Sequence, residues 1–555
     1  MKLCPQCEKT YADDTLNFCL DDGQWLVADA EPGTALLGTP PSFEVPPSFG
    51  VPPSGGSGAD AKTQLYERRE TNQNPQSGTR SPQPGEPPPE GGTPNAPGDS
   101  IAVLPFTNIS TDPDNEYFCD GLAEELLNAL TKIEGLKVAA RASTFSFKQS
   151  KTDINKIAGQ LGVAHVLDGS VRKSGDRLRI AVQLVDTANG YHIWSETYDR
   201  EMRDIFAVQD EITLAVIDAL KLKLLGGANH AALKRHTENT EAYKAYLLGR
   251  YLRHTKNDVG GARRAFEEAV RLDPSHAPSW VGLAEGTILA AHYALIPARA
   301  ACENAKKALA TATSLAGESA EGRYVEGLMA YVEADWRFSE QAFRRAIGIN
   351  PDQVHALGAF ALTLSVEGRF DEARPFYDRA RFADPLAAFP YAISGAGLVL
   401  EGRFEESLPF YEQAFTFEKE NTLALWGYSI AMVSLGNFPQ GLAAAEEAVR
   451  VSRGAAFFLG LLGWCLAKAG RPDEAREKLA ELQARPADAP TAASEAWLLS
   501  ELGDIDSAFA VLSRAVEERQ AFAYYAGLPT LDRLRDDPRF SELMQSAGLS
   551  IRTDQ

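Results

Sequence analysis

The feature that most constrains this chain is a period. Gly368, Gly402, Gly436 and Gly470 stand 34 residues apart, and Gly503 follows after 33. Each opens a similar phrase: GRFDEA, GRFEES, GNFPQG, GRPDEA and GDIDSA. A fixed period of this length marks one supersecondary unit repeated along the chain. Seven residues before four of these glycines come Ala361, Gly395, Ser429 and Gly463, and five after come Ala373, Ser407, Gly441 and Ala475. Small side chains at paired positions let two helices approach closely. Phe360, Tyr377, Tyr411 and Leu479 then fill the gaps. The glycine itself predicts the end of a first helix, where a left-handed residue without a Cβ carries no steric penalty. Pro274, Pro351 and Pro385 close some of the second helices. Gly249, Ala262, Phe266 and Ala269 mark an earlier unit, and a longer, irregular one runs from about 277 to 317, so residues 236–525 hold seven or eight hairpins. One hairpin cannot bury its own apolar face, so the units must stack into a superhelix.

This pattern resembles the tetratricopeptide (TPR) repeat. The resemblance implies an extended concave groove that takes a peptide or a partner protein, and a non-catalytic role for the array. Tyr377, Tyr391, Tyr411, Trp426 and Trp464 are expected in the core between repeats rather than in the groove. The closing phrase LPTLDRLRDDPRFSELMQSAGL lies in 526–555 and resembles a terminal helix of such arrays. It is expected to cap the last apolar face, with a short tail after it.

Upstream, residues 99–225 read as a compact α/β domain. Ile101 to Phe106 is an apolar run after a linker, a buried strand. From Glu116 to Ile133 the residues Phe118, Leu122, Leu126, Leu127 and Leu130 recur at helical spacing. A strand over Leu136–Ala140 and a short helix capped by Asp153 follow. Three β-rich runs then begin at Ala164, Arg177 and Tyr191, separated by the turn signals Ser174-Gly175-Asp176 and Asn189-Gly190. A helix from about Asp204 to Leu224 ends the unit, giving the order β-α-β-α-β-β-β-α. Asp120 and Glu124 share a helix face, and a solvated acidic face is the expected reading. His165 is expected as a core or edge histidine, and Arg172, Arg177 and Arg179 as surface charge rather than an anion site. The phrases SIAVLPF, EYFCDGLAEELLNAL, VLDGSVRKSGDRLRIAVQLVDTANGYHIWSETYDR and DIFAVQDEI resemble the TolB amino-terminal-like (FlgO-like) domain of bacterial signalling proteins. That resemblance covers nearly all of 100–222. It implies an interaction or structural domain that sits before TPR repeats, often behind a winged-helix, kinase or cyclase domain.

The first 29 residues carry Cys4-Pro5-Gln6-Cys7 and, twelve residues on, Cys19, with Asp22 where a second knuckle would place its cysteine. Two thiolates three apart can share one zinc ion on a tight turn, and a carboxylate is a harder, rarer fourth ligand. The segment resembles a degenerate zinc ribbon, with Cys4, Cys7, Cys19 and Asp22 as candidate ligands of a structural Zn2+. A module this small needs a metal or another staple to hold a core. Residues 30–98 hold fifteen of the 32 prolines and eleven glycines, a disordered linker with polyproline-II stretches.

Charge excludes some classes. With 55 basic against 76 acidic residues the net is −21, which argues against a general nucleic-acid or anionic-lipid binder. The remaining cysteines, Cys119, Cys302 and Cys465, form no disulfide framework. No signal peptide is read at the amino terminus. The longest uncharged apolar stretch, Gly454 to Ala467, is too short to span a bilayer, so a cytoplasmic location is expected. No phosphate loop, dinucleotide fingerprint or nucleophile elbow is present. The expectation is a multidomain, predominantly α protein: zinc-ribbon-like module 1–29, linker 30–98, α/β domain 99–225, TPR α-solenoid 236–525 and capping helix with tail 526–555. It is read as a non-enzymatic scaffold that binds protein partners through the TPR groove, with a transcriptional regulator or a cyclase- or kinase-associated signalling protein as the alternatives.

Overall fold

Helical hairpins follow from the glycine period, and the computed structural model of the chain shows how they stack. It describes residues 100–110, 115–131, 133, 136–148, 153–219, 239–256, 258–486 and 489–549, with the strand residues 2–3, 10–11 and 27–28. The chain divides into two compact units, Met1–Pro88 and Pro89–Gln555. In the first, β1 (Lys2–Leu3) pairs antiparallel with both β2 (Thr10–Tyr11) and β3 (Val27–Ala28). Cys4, Cys7, Cys19, Asp22 and the linker 30–98 lie outside the described residues.

The second unit opens with a sheet. Its strands are β4 (Ser100–Val103), β5 (Thr107–Asn108), β6 (Lys137–Val138), β7 (His165–Ser174), β8 (Arg177–Asp186) and β9 (His192–Glu201). The order is β6-β4-β7-β8-β9, with β5 pairing beside β7. β4 runs parallel to β6 and β7, whereas β7, β8 and β9 form an antiparallel meander. The alternation in β8 holds: Leu178, Ile180, Val182 and Leu184 are buried. The last strand reaches Glu201. Helices α1 (Glu116–Leu130) and α4 (Ile205–Ala219) share one apolar cluster with that face, which includes Phe106, Leu122, Ile180 and Ile205. On the other face α3 (Ile154–Leu161) packs Ile157 against Ala102 and Val166. Asp153 caps it, accepting from the Asn155 amide. The five-residue helix α2 (Arg141–Phe145) was not foreseen.

Eight hairpins follow among the described residues. They pair Thr240–His254 with Val259–Leu272, Ala277–His292 with Ala298–Ala316, Ala320–Val332 with Trp336–Ile349, and Val354–Val366 with Phe370–Ala383. The other four pair Ala388–Leu400 with Phe404–Phe417, Thr422–Ser434 with Phe438–Val451, Ala456–Lys468 with Pro472–Gln483, and Ala492–Glu501 with Ile505–Glu517. Each first helix packs on its own second helix and on the first helix of the next hairpin. The turn glycines sit where predicted, with φ from 74° at Gly368 to 91° at Gly503. In the second and third hairpins Ala294 and Ala334 take that place at φ 55° and 56°, which L-residues adopt only at a cost.

The interlock between hairpins is tight. Tyr411, fully buried, lies against both Gly395 and Gly427; a Cβ on Gly427 would sit 2.0 Å from its Oη. Tyr377 packs against Gly397 in the same way and hydrogen-bonds Ser365 at 3.0 Å. Trp426 and Trp464 are buried as expected and Tyr391 is half-buried. The C-terminal segment caps the last hairpin, with Arg539 over Phe509 at 4.2 Å. It also reaches much further than a cap. Trp336 Nε1 donates to the Ala547 carbonyl at 2.9 Å, and Tyr524 and Tyr525 pack on Trp336, Tyr331 and Trp426. The tail thus ties hairpin eight back to hairpins three and six.

Candidate functional site

The α/β domain is built onto the first hairpin rather than tethered to it. Tyr243, Tyr246, Leu247 and Phe266 of that hairpin belong to the same apolar cluster as Leu122 and Ile205. Leu247 fills the space above Gly121, where a Cβ would meet it at 2.7 Å. This close approach brings the polar stripe of α1 against protein. Asp120 and Glu124, expected to face solvent, are 1% and 2% exposed. Amphipathic spacing marks the polar face correctly but cannot show that another domain covers it. Glu124 is gripped by Arg141, at 3.0 Å, and by Arg250 of the first hairpin. Burial acts to raise its carboxyl, but the two guanidinia overcome that and hold it below its ordinary value. Asp120 accepts from Lys148 at 2.5 Å, yet burial leaves its carboxyl raised.

A second latch forms at α2. Asp384, in the turn after the fourth hairpin, accepts from the Ser143 amide at 2.8 Å and from the Ser143 hydroxyl. Ser143 Oγ accepts in turn from the Leu386 amide at 3.0 Å. Burial pushes the Asp384 carboxyl up to about 6.

Between these latches lies a cavity of about 1380 Å³, lined by Ala139–Ala142 and by first helices of successive hairpins. At its wall Arg253 pairs with Glu285 at 3.2 Å. The rings of His254 and His355 lie 6.0 Å apart, His355 is stacked on Phe389 at 4.7 Å, and Tyr324 stands 6.1 Å from His355. Burial, then the nearby Arg141 and Arg253, hold the His254 imidazole well below its usual range; burial with Arg253 and Arg141 brings His355 to about 3. Across the cavity burial lowers His292 to about 4. These imidazoles are neutral near pH 7.

The other sequence candidates disperse. His165 is half-buried with Nδ1 3.1 Å from the Ser100 carbonyl. Arg179 makes a two-pronged exposed pair with Asp199 at 2.8 and 2.9 Å, which leaves no converging anion site with Arg172 and Arg177. Among the described residues no three His, Cys, Asp or Glu side chains gather to hold a metal ion. Cys119, Cys302 and Cys465 are buried free thiols. The sequence reading missed Arg141, Ser143, Asp384, His254 and His355. Asp384 was visible only as part of a helix stop, and nothing local pairs it with Ser143, 241 residues away.

Residues 97–215 match the second domain of the HilA/YgeH-like transcriptional regulators, and 430–490 match the tetratricopeptide repeat family. The array is thus a TPR-like helical solenoid, with one stretch matching the family model. A Rhizobium meliloti (strain 1021) protein named "Putative adenylate cyclase 3" is 41% identical over 186 residues, 33% of this chain and 32% of that protein. The chain thus spans about a third of that curated relative's length. Similar solved structures include YrrB, a TPR protein with an unusual peptide-binding site (21% identity, 34% of this chain, 92% of that chain, TM-score 0.22). MamA (22%, 31% and 95%, 0.22) and an IFIT1 monomeric mutant with Gppp-AAAA (14%, 62% and 84%, 0.38) are others.

Proposed function

We propose that this chain is a non-enzymatic scaffold in bacterial signalling or regulation, binding partner proteins through its TPR superhelix. The observation that carries this reading is the stack of hairpins whose first helices line one concave face. Asp352 and Glu418 are exposed on that lining. In the full chain, Asp352→Lys with Glu418→Lys is expected to abolish recovery of a specific partner from native lysate, while reversals on the second helices leave it intact. Equal recovery from both sets of variants would overturn the reading, as would a turnover activity of the purified chain.

A regulatory second reading has its own support in the match of 97–215 to a transcriptional-regulator domain. The TolB-like wording of 100–222 supports a multidomain regulator in the same way. Duplex DNA titrated at low salt discriminates it: a regulator that contacts DNA binds with a steep salt dependence, and a pure adaptor does not bind. The cyclase-associated alternative rests on the name of a relative that shares a third of its length, and cyclic AMP production from ATP by the purified chain tests it. Among the described residues no helix is long and apolar enough to cross a membrane, and a cytoplasmic location belongs to this proposal. So does a structural zinc at Cys4, Cys7, Cys19 and Asp22. Three thiolates and a carboxylate are a zinc-compatible donor set, and Cys4 and Cys7 fall in the chain between the paired strands β1 and β2. Metal analysis of the wild type against Cys7→Ser decides it.

A further inference from the structure

The sheet of the α/β domain ends on a long unpaired edge. Its other edge, β6, is two residues long, but β9 is a ten-residue strand with no strand on its outer side among the described residues. Eight of those ten residues are exposed. An edge of this length is a template for pairing with another chain. No residue of β9 lines the concave cavity, so the edge is independent of the scaffold reading.

Ladder geometry fixes which backbone groups are free. The Met202 amide donates to the Asp176 carbonyl at 2.7 Å, one step beyond the Arg177–Glu201 pair of the β8–β9 register. Antiparallel ladders alternate hydrogen-bonded and non-hydrogen-bonded pairs. Stepping back from Met202, Arg200, Tyr198, Glu196 and Trp194 bond to β8. Ser195, Thr197, Asp199 and Glu201 therefore turn their N–H and C=O groups outward. A second copy of the strand, antiparallel about a two-fold axis, continues the ladder only where outward residues face outward residues. That condition centres the pairing on a single residue. Centring on Glu196, Asp199 or Arg200 sets a charge against its own copy, which is destabilising. Centring on Thr197 leaves Glu196 and Arg200 opposite aromatic rings. Centring on Tyr198 sets Glu196 against Arg200 twice, in non-hydrogen-bonded sites where side chains stand closest. Thr197 then exchanges bonds with Asp199, and Ser195 with Glu201.

The side chains suit that register. Glu196 is exposed, accepts from the Tyr198 hydroxyl at 3.1 Å, and has no cation paired with it among the described residues. Arg200 makes one exposed pair, with Glu211 at 3.3 Å, and keeps donors to spare. Apolar groups flank the same edge. Tyr191 and Ile193 are 75% and 41% exposed, and they would lie beside the Met202–Asp204 turn of the second copy. Leu214, one turn from Glu211 on the same face of α4, is 39% exposed, and the two α4 helices would run side by side across the axis.

We propose that β9 is a dimerisation edge, pairing antiparallel with β9 of a second copy about Tyr198 and held in register by two Glu196–Arg200 ion pairs. The two sheets become one, and the dimer carries two repeat arrays. One strand edge with few apolar anchors is smaller than a standard interface, so the association falls in the micromolar range.

The test is sedimentation of the full chain across the micromolar range, where a reversible monomer–dimer equilibrium is expected. Glu196→Arg and Arg200→Glu each turn two attractive pairs into two repulsive ones, and each alone should weaken the dimer roughly thirtyfold. The double variant restores the pairs with their signs exchanged and should return to within about threefold of the wild type. Thr197→Pro deletes an outward N–H that β8 does not use, and it should abolish the dimer. All three side chains are exposed, so the thermal midpoints of the dilute variants should match the wild type, which separates lost pairing from lost folding. If Thr197→Pro does not fold, the charge reversals and their rescue decide the matter. A chain that stays monomeric into the millimolar range, a dimer that a folded Thr197→Pro leaves intact, or charge reversals that the double variant does not rescue would each overturn the proposal.

Discussion

Glu124 offers the sharpest perturbation of how the domains are joined. Its carboxylate is 2% exposed and lies between two guanidinia, from Arg141 in the α/β domain and Arg250 in the first hairpin. Glu124→Ala removes the anion and leaves both cations facing each other. Breaking a buried ion pair from one side costs about 3–5 kcal/mol. Arg141 and Arg250 retain 17% and 22% exposure, so water can partly resolvate them, and the lower end of that range, about 3 kcal/mol, applies here. That corresponds to a change of roughly 150-fold in the docking equilibrium. Hydrogen exchange is the assay, because it resolves the segments. Protection should fall together in Glu116–Leu130 and Thr240–His254, and stay unchanged in hairpins five to eight. The sign with pH follows from the depressed carboxyl: the stabilisation is complete above the ordinary value of 4.5 and is lost as pH falls through the lower folded value. A loss below about 1 kcal/mol, the level of a surface pair, or a loss confined to Glu116–Leu130, would refute the clamp.

Three further outcomes follow from single side chains. Asp384 has the opposite sign to Glu124: its carboxyl rises from 3.8 to about 6, so its contribution is complete below 3.8 and lost as pH rises through 6. At 1.36 kcal/mol per unit the site costs about 3 kcal/mol at pH 7 relative to pH 4, and Asp384→Asn should flatten that part of a urea-denaturation pH profile. Tyr411 Oη is buried without a hydrogen-bond partner among the described residues, so Tyr411→Phe should be neutral or stabilising by about 1 kcal/mol, whereas Tyr377→Phe, which loses the Ser365 bond, should cost about 1 kcal/mol in the same melts. Ala294→Gly relieves a left-handed alanine and should raise stability by up to about 1 kcal/mol, less the entropy glycine loses on folding; a fall in midpoint would show that the turn is not strained.

The repeat array was legible because its signals are local. The turn glycines, the small residues beside them and the closing prolines each act within one hairpin, and a period of 34 repeats the information. The strands were legible for the same reason, since alternation in Arg177–Asp186 needs only its own residues. What escaped is long-range. Gly427 carries no turn signal; its need for glycine comes from Tyr411 in the preceding hairpin. Asp120 and Glu124 look solvated until the first hairpin covers them. The tail was read as a local cap because nothing near Ala547 in the chain points to Trp336, 211 residues earlier.

These misses share a physical cause, and together they bear on what the array does. A TPR stack is quasi-one-dimensional when each repeat touches only its neighbours, and its stability is then close to a sum of neighbour terms. Here two sets of contacts break that rule. Ser143–Asp384 links the α/β domain to the end of the fourth hairpin, and Trp336–Ala547 links the third hairpin to the chain's last described turn. Each closes a long loop of chain, so each couples hairpins that neighbour terms leave independent. Unfolding of hairpins one to four should therefore be cooperative with the α/β domain, and that of hairpins three to eight with the tail. A partner or ligand that loosens one latch would act on several hairpins at once, which gives the α/β domain leverage over a groove it only partly lines.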